Sequence, residues 1–339
     1  MRKYNLCFLG FGNVGRALAR LLDEKRDELR EAYNLEWRIT GVATRRMGWL
    51  AHADGFEVRD LLEGRAASSI ITTTHAPEDV RAWLRAARAD VLFETTSLEP
   101  RTGQPAIEHI REALEQGAHV ITANKGPLVH AFQELNALAK EQGRRFMFEA
   151  TVADCLPVFS MFRECLPAAH VLGFSAVLNS TTSIIIEEME RGASFAEGVA
   201  RAQSLGITET DPAYDVDGWD AAVKVCALAR VVMGTPLGLE EIEREGIGNL
   251  YAATVAKARR EGRPFKLVSR AESSGGRVRA SVRPEQVSSD DPLYPASGTS
   301  LLIHFRLDTL PGLTMIAHDP NLKSTAYGLL ADFINAVRA

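Results

Sequence analysis

Apolar residues in the first half of the chain follow two alternating patterns. Short continuous apolar runs are typical of buried strands, and apolar residues recurring every three or four positions are typical of amphipathic helices. The patterns predict strands over residues 4–9, 37–43, 91–95, 119–122 and 145–149, and helices over 14–32, 77–87, 104–116 and 128–142. Strands separated by helices of this length form a doubly wound parallel sheet. We therefore expect an α/β domain over residues 1–150.

The pattern changes after residue 150. Strand-like runs occur at 171–178, 266–271, 277–283, 299–306 and 313–317. A predicted helix over 159–165 precedes the first run, Asn179 or Ser180 is the candidate N-cap of another helix after it, and clusters of Ser, Gly, Asp and Pro bound the later runs. This composition predicts a mixed or antiparallel sheet covered by helices, which is an α+β domain over residues 151–322. We expect the C-terminal helix, residues 323–339, to return to the first domain.

A glycine motif, Gly10-Phe11-Gly12-Asn13-Val14-Gly15, follows the first predicted strand and begins a helix. The first glycine permits a tight turn, the second lets a pyrophosphate approach the backbone, and the third lets the helix pack on the strand. The free N–H groups of the helix N-terminus would bind the phosphate. The sequence therefore predicts a Rossmann-type dinucleotide-binding domain whose cofactor contacts these six residues.

The second predicted strand ends in Ala43-Thr44-Arg45-Arg46 and has no acidic residue there. Folds that select NAD have Asp or Glu at this position to bind the ribose hydroxyls. Two guanidinium groups are suited instead to a 2′-phosphate. We therefore expect NADP(H) as the preferred cofactor, with NAD(H) as the alternative. A solvated basic turn is the other interpretation of Arg45 and Arg46.

Length and charge narrow the class of protein. A chain of 339 residues is long enough for two domains, and a net charge of -5 favours neither nucleic acid nor an anionic membrane surface as a partner. The four cysteines lie far apart without a C-x-x-C pair, which indicates neither a zinc site nor a disulfide framework. No signal-peptide pattern is present. We expect a cytoplasmic protein with a small-molecule partner.

An acidic segment, residues 205–226, places five carboxylates ahead of Lys224. A helix predicted over residues 218–232 would bring Asp220 and Lys224, which are four positions apart, onto one face. A carboxylate there would hold the ammonium group and favour its charged form. The alternative interpretation is an ordinary surface ion pair, which stabilises helices weakly.

Five segments, taken together, resemble the homoserine dehydrogenase family. They are the glycine motif, Thr122-Ala123-Asn124-Lys125, Glu149-Ala150-Thr151-Val152 with Leu156-Pro157, Leu178-Asn179-Ser180-Thr181-Thr182, and residues 205–224. Members are NAD(P)-dependent oxidoreductases that interconvert L-aspartate 4-semialdehyde and L-homoserine in threonine and methionine biosynthesis. The chain is similar to the short form without a C-terminal regulatory domain, and the resemblance implies a homodimer.

The resemblance also implies roles for single residues. Lys224 corresponds to the proton donor and acceptor, and Asp220 to its carboxylate partner and a substrate contact. Glu209 corresponds to the group that binds the amino group of the substrate. Lys125 matches a lysine shared by cofactor and substrate, and Thr96 a threonine beside the nicotinamide. The residues that correspond to a monovalent-cation loop are Glu149, Val152, Asp154 and Leu156.

Two segments depart from the family pattern. The chain has Ala317-His318-Asp319-Pro320-Asn321 where the family has G-P-G-A-G, and Ala153-Asp154-Cys155 where it has a glycine-rich turn. Without glycine the backbone cannot approach a ligand as closely. Two alternatives therefore stay open: a dehydrogenase for another amino- or hydroxy-carbonyl compound, and a non-catalytic NADP-binding sensor.

Overall fold

The computed structural model describes residues 2–65, 77–208 and 211–338. They form two compact units: the first comprises the described parts of residues 1–157 and 321–339, and the second comprises those of residues 158–320. Each unit is built on its own six-stranded sheet. Among the described helices, none has the length and apolar content needed to cross a membrane.

The first unit contains an almost entirely parallel sheet. Its strands are β1 (Arg2–Leu9), β2 (Leu35–Thr44), β3 (Gly48–Phe56), β4 (Val91–Glu94), β5 (His119–Thr122) and β6 (Phe146–Met147). Its helices up to this point are α1 (Asn13–Glu24), α2 (Arg26–Tyr33), α3 (Val58–Leu62), α4 (Val80–Ala86), α5 (Ala106–Glu115) and α6 (Gly126–Glu141). The strand order is β3-β2-β1-β4-β5-β6, with only β3 antiparallel to its neighbour. The predicted doubly wound α/β sheet is confirmed.

The edge strand β3 was not predicted from the sequence. It returns antiparallel to β2 after a three-residue turn, with Thr44 paired to Gly48. Helix α4 covers it, since the Trp83 indole N–H donates to the Leu50 carbonyl oxygen at 2.8 Å and the Trp83 ring lies 5.4 Å from that of Trp49. Most β3 residues are only partly buried, so the hydrophobic alternation that marks a strand is weak.

The helix predicted over residues 14–32 is two helices in the structure. Lys25 leaves helical geometry, with φ -100° and ψ 13°, and separates α1 from α2. Asn34 then ends α2 in the left-handed conformation, with φ 57°. Leu22 and Leu29 are buried on either side of the break. The apolar pattern therefore continues through the break and gives no sign of it.

The second unit contains a mixed sheet covered by helices. Its elements are α7 (Val158–Ser160), followed by a π-helical turn at Met161–Cys165, β7 (Val171–Val177), α8 (Ser180–Glu190), α9 (Phe195–Ser204), α10 (Ala213–Val216), α11 (Trp219–Val232), β8 (Ile242–Arg244), α12 (Ala252–Arg260), β9 (Phe265–Ser274), β10 (Arg277–Gln286), β11 (Leu301–Leu307) and β12 (Leu313–Ala317). The order is β12-β11-β7-β9-β10-β8, antiparallel except between β10 and β8. The expected α+β arrangement is confirmed, although β8 was not predicted.

The last helix, α13 (Leu322–Arg338), packs in the core of the first unit. The Phe333 ring is fully buried, with its centroid 5.9 Å from that of Tyr4 and 6.0 Å from that of Phe93. The buried Asp332 carboxylate accepts a hydrogen bond from the Glu149 backbone N–H at 2.7 Å. This helix therefore completes the core around β1 and β4.

We expect Phe333→Ala to lower the free energy of unfolding of the first unit by about 3–5 kcal/mol, because it removes a ring from a closed core. Tyr327→Ala is the matched control, since Tyr327 lies on the same helix with 50% of its surface exposed. That variant should stay within about 0.5 kcal/mol of the parent chain. Urea denaturation followed by circular dichroism measures both, and equal losses would mean that α13 does not belong to this core.

Candidate active site

The glycine motif forms the turn between β1 and α1. Gly10 has φ +88°, and a Cβ there would lie 2.6 Å from the Thr95 carbonyl oxygen. A Cβ at Gly15 would lie 2.9 Å from the Gly10 carbonyl oxygen. Gly12, in contrast, has no atom within 4 Å of such a Cβ. Crowding at the first and third glycines and open space at the second is the arrangement that a bound pyrophosphate needs.

The N-terminus of α1 is suited to an anion. Gly12 gives the helix no side-chain cap, and its first turn contains no acidic residue. The first backbone N–H groups and the helix dipole therefore favour a negative group. Strand order reverses at this point, since β1 lies between β2 and β4, and open α/β sheets bind ligands at such a reversal. The residues present thus fit a dinucleotide phosphate.

Arg45 and Arg46 lie exposed in the turn after β2. The turn is held by the Met47 N–H, which donates to Thr44 Oγ1 at 2.9 Å. Next to it, the Ala43 carbonyl oxygen accepts from the Gly10 N–H at 2.9 Å. The two guanidinium groups therefore follow a strand end that is bonded to the glycine motif. In a Rossmann-type sheet this is the end of the strand that faces the adenosine ribose.

Thr96 and Lys125 follow the neighbouring strands β4 and β5. The half-buried Lys125 begins α6, and its carbonyl oxygen accepts from Leu128 N at 3.0 Å. Asn124 Nδ2 lies 3.5 Å from both the carbonyl oxygen and Oγ1 of Thr96. The structure therefore brings Thr96 and the segment containing Lys125 together at the carboxyl edge of the first sheet.

In the second unit, Asp220 and Lys224 form an ion pair on α11. Lys224 Nζ lies 2.9 Å from Asp220 Oδ2, and the two side chains are 13% and 14% exposed. Lys224 Nζ also donates to the Leu178 carbonyl oxygen at 2.5 Å. Ordinary surface pairs are solvated on most sides and fix neither group. This ammonium is instead held in one place by two acceptors from different elements.

Asn179 connects this ion pair to a second carboxylate. Its Nδ2 donates to Asp220 Oδ2 at 3.1 Å and to Asp215 Oδ1 at 2.7 Å. Its Oδ1 accepts from Thr182 N at 2.9 Å, so the N-cap of α8 that the sequence predicts is present. This capping role is the only one predicted for Asn179 from its sequence position. Its two acidic partners lie 36 and 41 positions later, and no local pattern links them.

Asp215 is a site residue for which sequence reasoning predicted no role. Its Oδ1 accepts from Asn179, and its Oδ2 accepts from the Thr208 hydroxyl at 3.2 Å. The sequence signal was its place among the carboxylates of the acidic segment. Glu209 lies outside the described residues, so its contact with a substrate amino group stays a prediction.

The four residues predicted to hold a monovalent cation lie on the segment between β6 and α7. Asp154 has φ 54°, and its carboxylate accepts from the Thr325 hydroxyl at 2.9 Å. A Cβ at Gly328 would lie 2.6 Å from the Asp154 carbonyl oxygen. The described residues include no group of three His, Cys, Asp or Glu suited to a metal ion. The cation therefore stays a prediction from resemblance, and we assign no chemical step to it.

The segment at residues 317–321, which departs from the family pattern, is linked to the Asn179 segment. Asp319 has φ 47°, and its carboxylate accepts from the Thr299 hydroxyl at 3.3 Å. The Thr299 carbonyl oxygen accepts from the Ser180 hydroxyl at 2.9 Å. Ser180 follows Asn179 directly. Two hydrogen bonds thus connect the divergent segment to the residue beside the Asn179 cap.

Family models match nearly the whole chain. The model described as homoserine dehydrogenase matches residues 157–334, and the one described as homoserine dehydrogenase, NAD binding domain, matches residues 10–149. An NAD(+)-dependent homoserine dehydrogenase from Pseudomonas canavaninivorans is 33% identical, covering 99% of this chain and 96% of that protein. A homoserine dehydrogenase from Methanocaldococcus jannaschii is 30% identical, covering 98% of both chains.

Solved structures show the same similarity. A putative homoserine dehydrogenase from Archaeoglobus fulgidus has a TM-score of 0.85 and 29% identity, covering 99% of both chains. A hyperthermophilic archaeal homoserine dehydrogenase in complex with NADPH has a TM-score of 0.82 and 29% identity, covering 99% of this chain and 98% of that one. The similarity therefore extends over both units.

We expect Asn179→Ala to lower kcat/KM for NAD(P)-linked turnover at least about tenfold, because two carboxylates lose the donor that they share. A hydrogen bond to a charged acceptor is worth roughly 1.5–3 kcal/mol. It should also cost about 1 kcal/mol of stability through the lost cap. Ser194→Ala is the control, since Ser194 caps α9 in the same unit through Glu197. It should lose similar stability and keep its kcat/KM. A parallel loss of kcat/KM in both variants would reduce Asn179 to a structural cap.

Proposed function

The chain belongs to the homoserine dehydrogenase family of oxidoreductases, and on that premise we propose that it interconverts L-homoserine and L-aspartate 4-semialdehyde with NADP(H). The observation that supports this most directly is the Asp220–Lys224 pair, little exposed and fixed by the Leu178 carbonyl oxygen. On the basis of resemblance we also propose a cytoplasmic homodimer that acts in threonine and methionine biosynthesis.

Lys224 is the acid and base of the proposed reaction. When bound, the nicotinamide supplies or accepts the hydride at the carbon that changes oxidation state. During reduction, negative charge grows on the aldehyde oxygen, where a positioned ammonium stabilises it and donates a proton. Asp220 and the Leu178 carbonyl oxygen hold this ammonium before the substrate arrives. The orientation of Lys224 is therefore set by folding rather than at the moment of reaction.

The carboxylates of the acidic segment suit an amino acid as substrate. A zwitterion needs an anion for its ammonium group and a cation for its carboxylate. Glu209 and Asp220 are the proposed partners of the ammonium, and Asp215 adds negative charge next to Asp220 through Asn179. Lys125 is the proposed partner of the carboxylate. The divergent residue Asp319 is connected through Thr299 to Ser180, which is next to Asn179. A related amino- or hydroxy-carbonyl compound is therefore the second candidate substrate.

The preference for NADP(H) rests on the end of β2. Arg45 and Arg46 are exposed there, and neither of the two residues before them is acidic. Relatives differ in this property, since one is named as NAD(+)-dependent and a solved structure contains NADPH. Guanidinium groups distinguish a 2′-phosphate from a hydroxyl by charge-assisted hydrogen bonds. The two arginines therefore favour the phosphorylated cofactor.

We expect the protein to reduce NADP+ with L-homoserine, and Lys224→Ala to lower kcat by about 10²–10⁴-fold through loss of acid–base catalysis. Absorbance of the reduced nicotinamide measures turnover with homoserine and with a panel of other hydroxy and amino acids. Binding of NADPH should be unchanged in the variant.

Lys257→Ala is the control for this variant. Lys257 forms a pair with Glu261 at the same four-residue spacing, 3.7 Å apart, but both side chains are exposed. This variant should keep full activity. Turnover of another compound but not of homoserine would redefine the substrate. Undiminished kcat in Lys224→Ala would remove Lys224 from the mechanism, and NADPH binding without any turnover would favour the sensor hypothesis.

We expect the double variant Arg45→Ala/Arg46→Ala to raise KM for NADPH by about 10–100-fold, because hydrogen bonds to a charged group are worth roughly 1.5–3 kcal/mol. KM for NADH should change by less than about threefold, since it lacks the 2′-phosphate. Arg59→Ala/Arg85→Ala removes two other exposed arginines of the first unit and should alter neither constant. Equal increases for both cofactors would contradict the 2′-phosphate assignment.

A further inference from the structure

Glu94 is a buried carboxylate to which the proposed reaction gives no role. It is the last residue of β4, pairs with Leu9 of β1 and Thr122 of β5, and is 0% exposed. Burial raises the pKa of Glu94, and hydrogen bonds from Thr96 and Thr122 oppose that shift. A charge is costly to bury unless donors surround it, so the position of these donors matters to the fold.

Three donors converge on the Glu94 carboxylate. Oε1 accepts from the Thr96 backbone N–H at 2.9 Å and from the Thr96 hydroxyl. Oε2 accepts from the Thr122 hydroxyl at 2.8 Å. Thr122 Oγ1 also accepts from the Asn124 backbone N–H at 2.9 Å. Both carboxylate oxygens therefore act as acceptors, as an ionised group requires.

This network fixes the polarity of the Thr96 hydroxyl. Its proton is committed to Glu94 Oε1, so Thr96 Oγ1 offers only lone pairs to any other group. Asn124 Nδ2 approaches that oxygen at 3.5 Å, which is too long for a strong hydrogen bond. Thr96 Oγ1 therefore has the capacity to accept from a better-placed N–H donor.

The carboxamide of a nicotinamide ring has such N–H donors. On the basis of the proposed function, we propose that Glu94 is a positioning residue that orients the nicotinamide, by holding Thr96 Oγ1 as an acceptor for the carboxamide N–H. Glu94 itself is fully buried and acts through Thr96. A reversed Thr96 hydroxyl would present its proton to the carboxamide N–H and repel it.

Glu94 also positions the start of α6, through its backbone carbonyl oxygen and through Thr122. The Ala123 N–H donates to the Glu94 carbonyl oxygen at 3.1 Å, and Asn124 is held through Thr122. Asn124 Oδ1 then accepts from the Gly126 N–H at 3.0 Å. Lys125 lies between these two anchored residues. One buried group thus sets both the loop after β4 and the loop after β5.

Glutamine cannot replace this carboxylate without a conflict, although it has the same shape. If its amide oxygen faces Thr96, its NH2 group faces Thr122 and the Thr122 proton loses its acceptor. If it is turned around, the NH2 group faces the Thr96 N–H. In either orientation a buried donor is unsatisfied. A ligand whose binding depends on that donor typically binds about tenfold or more weakly. Glu94→Gln is therefore a probe of the whole Glu94 network, and Thr96→Val is the specific probe of Thr96.

The test compares the binding of two ligands to the purified full-length chain. NADPH contains the nicotinamide, and 2′,5′-ADP shares its adenosine phosphates and lacks the nicotinamide. Glu94→Gln should weaken NADPH by about tenfold or more and change 2′,5′-ADP by less than about twofold, as measured by calorimetry. If NADH, which lacks the 2′-phosphate, binds more tightly than NADPH, the same comparison is made with NADH and ADP.

Asp332→Asn is the matched control. Asp332 is also a buried carboxylate of the first unit, and it accepts from a backbone N–H. This variant should lower the melting temperature while leaving the ratio of the two affinities unchanged. If Glu94→Gln weakens NADPH and 2′,5′-ADP equally, Glu94 is structural and the proposal is overturned.

A double-mutant cycle with Thr96→Val tests whether Glu94 acts through Thr96. Thr96→Val should itself weaken NADPH selectively, and adding Glu94→Gln should then produce no further selective loss. Thr96 is only partly buried, so unaltered NADPH binding in this variant can overturn the proposal even if Glu94→Gln does not fold. Unaltered NADPH binding in Thr96→Val, or fully additive losses, would overturn the proposal. Neither result depends on homoserine turnover, which tests the proposed function separately.

Discussion

Buried carboxylates must be matched by hydrogen-bond donors, and this requirement organises the loops of both units. In the first unit, Glu94 is matched by two hydroxyls and one backbone N–H, which come from the loops after β4 and β5. A charged acceptor fixes its donors more strongly than a neutral one does. The same loops contain Thr96 and Lys125. The hydrogen bonds that offset the cost of burying one charge therefore also order two loops.

The second unit meets the same requirement with an amide. Asn179 has two donors on one nitrogen, and they are divided between Asp215 and Asp220. Asp220 also pairs with Lys224, so three charged groups share a single network. Two carboxylates that share one donor repel each other, and the amide between them and the ammonium beside Asp220 offset that repulsion. The network therefore keeps negative charge concentrated while Lys224 is held in place.

Features encoded over short distances in the sequence could be predicted, and those that join distant segments could not. The glycine motif and the four-residue spacing of Asp220 and Lys224 each belong to one turn or one helix. The contacts of Asn179 with Asp215 and of Glu94 with Thr122 join residues 36 and 28 positions apart. The edge strand β3 was missed for a different reason, since partial burial leaves little hydrophobic alternation.

The divergent segment at residues 317–321 and the acid–base pair are held by different hydrogen bonds. It is linked to the Asn179 segment through Thr299, whose hydroxyl donates to Asp319 and whose carbonyl oxygen accepts from the Ser180 hydroxyl. Lys224 is anchored separately, by Asp220 on the same helix and by the Leu178 carbonyl oxygen. Changes in the segment would therefore reach the Asn179 network through Ser180, whereas Lys224 has two acceptors outside that segment. This separation is consistent with one hydride-transfer chemistry serving related amino-acid substrates.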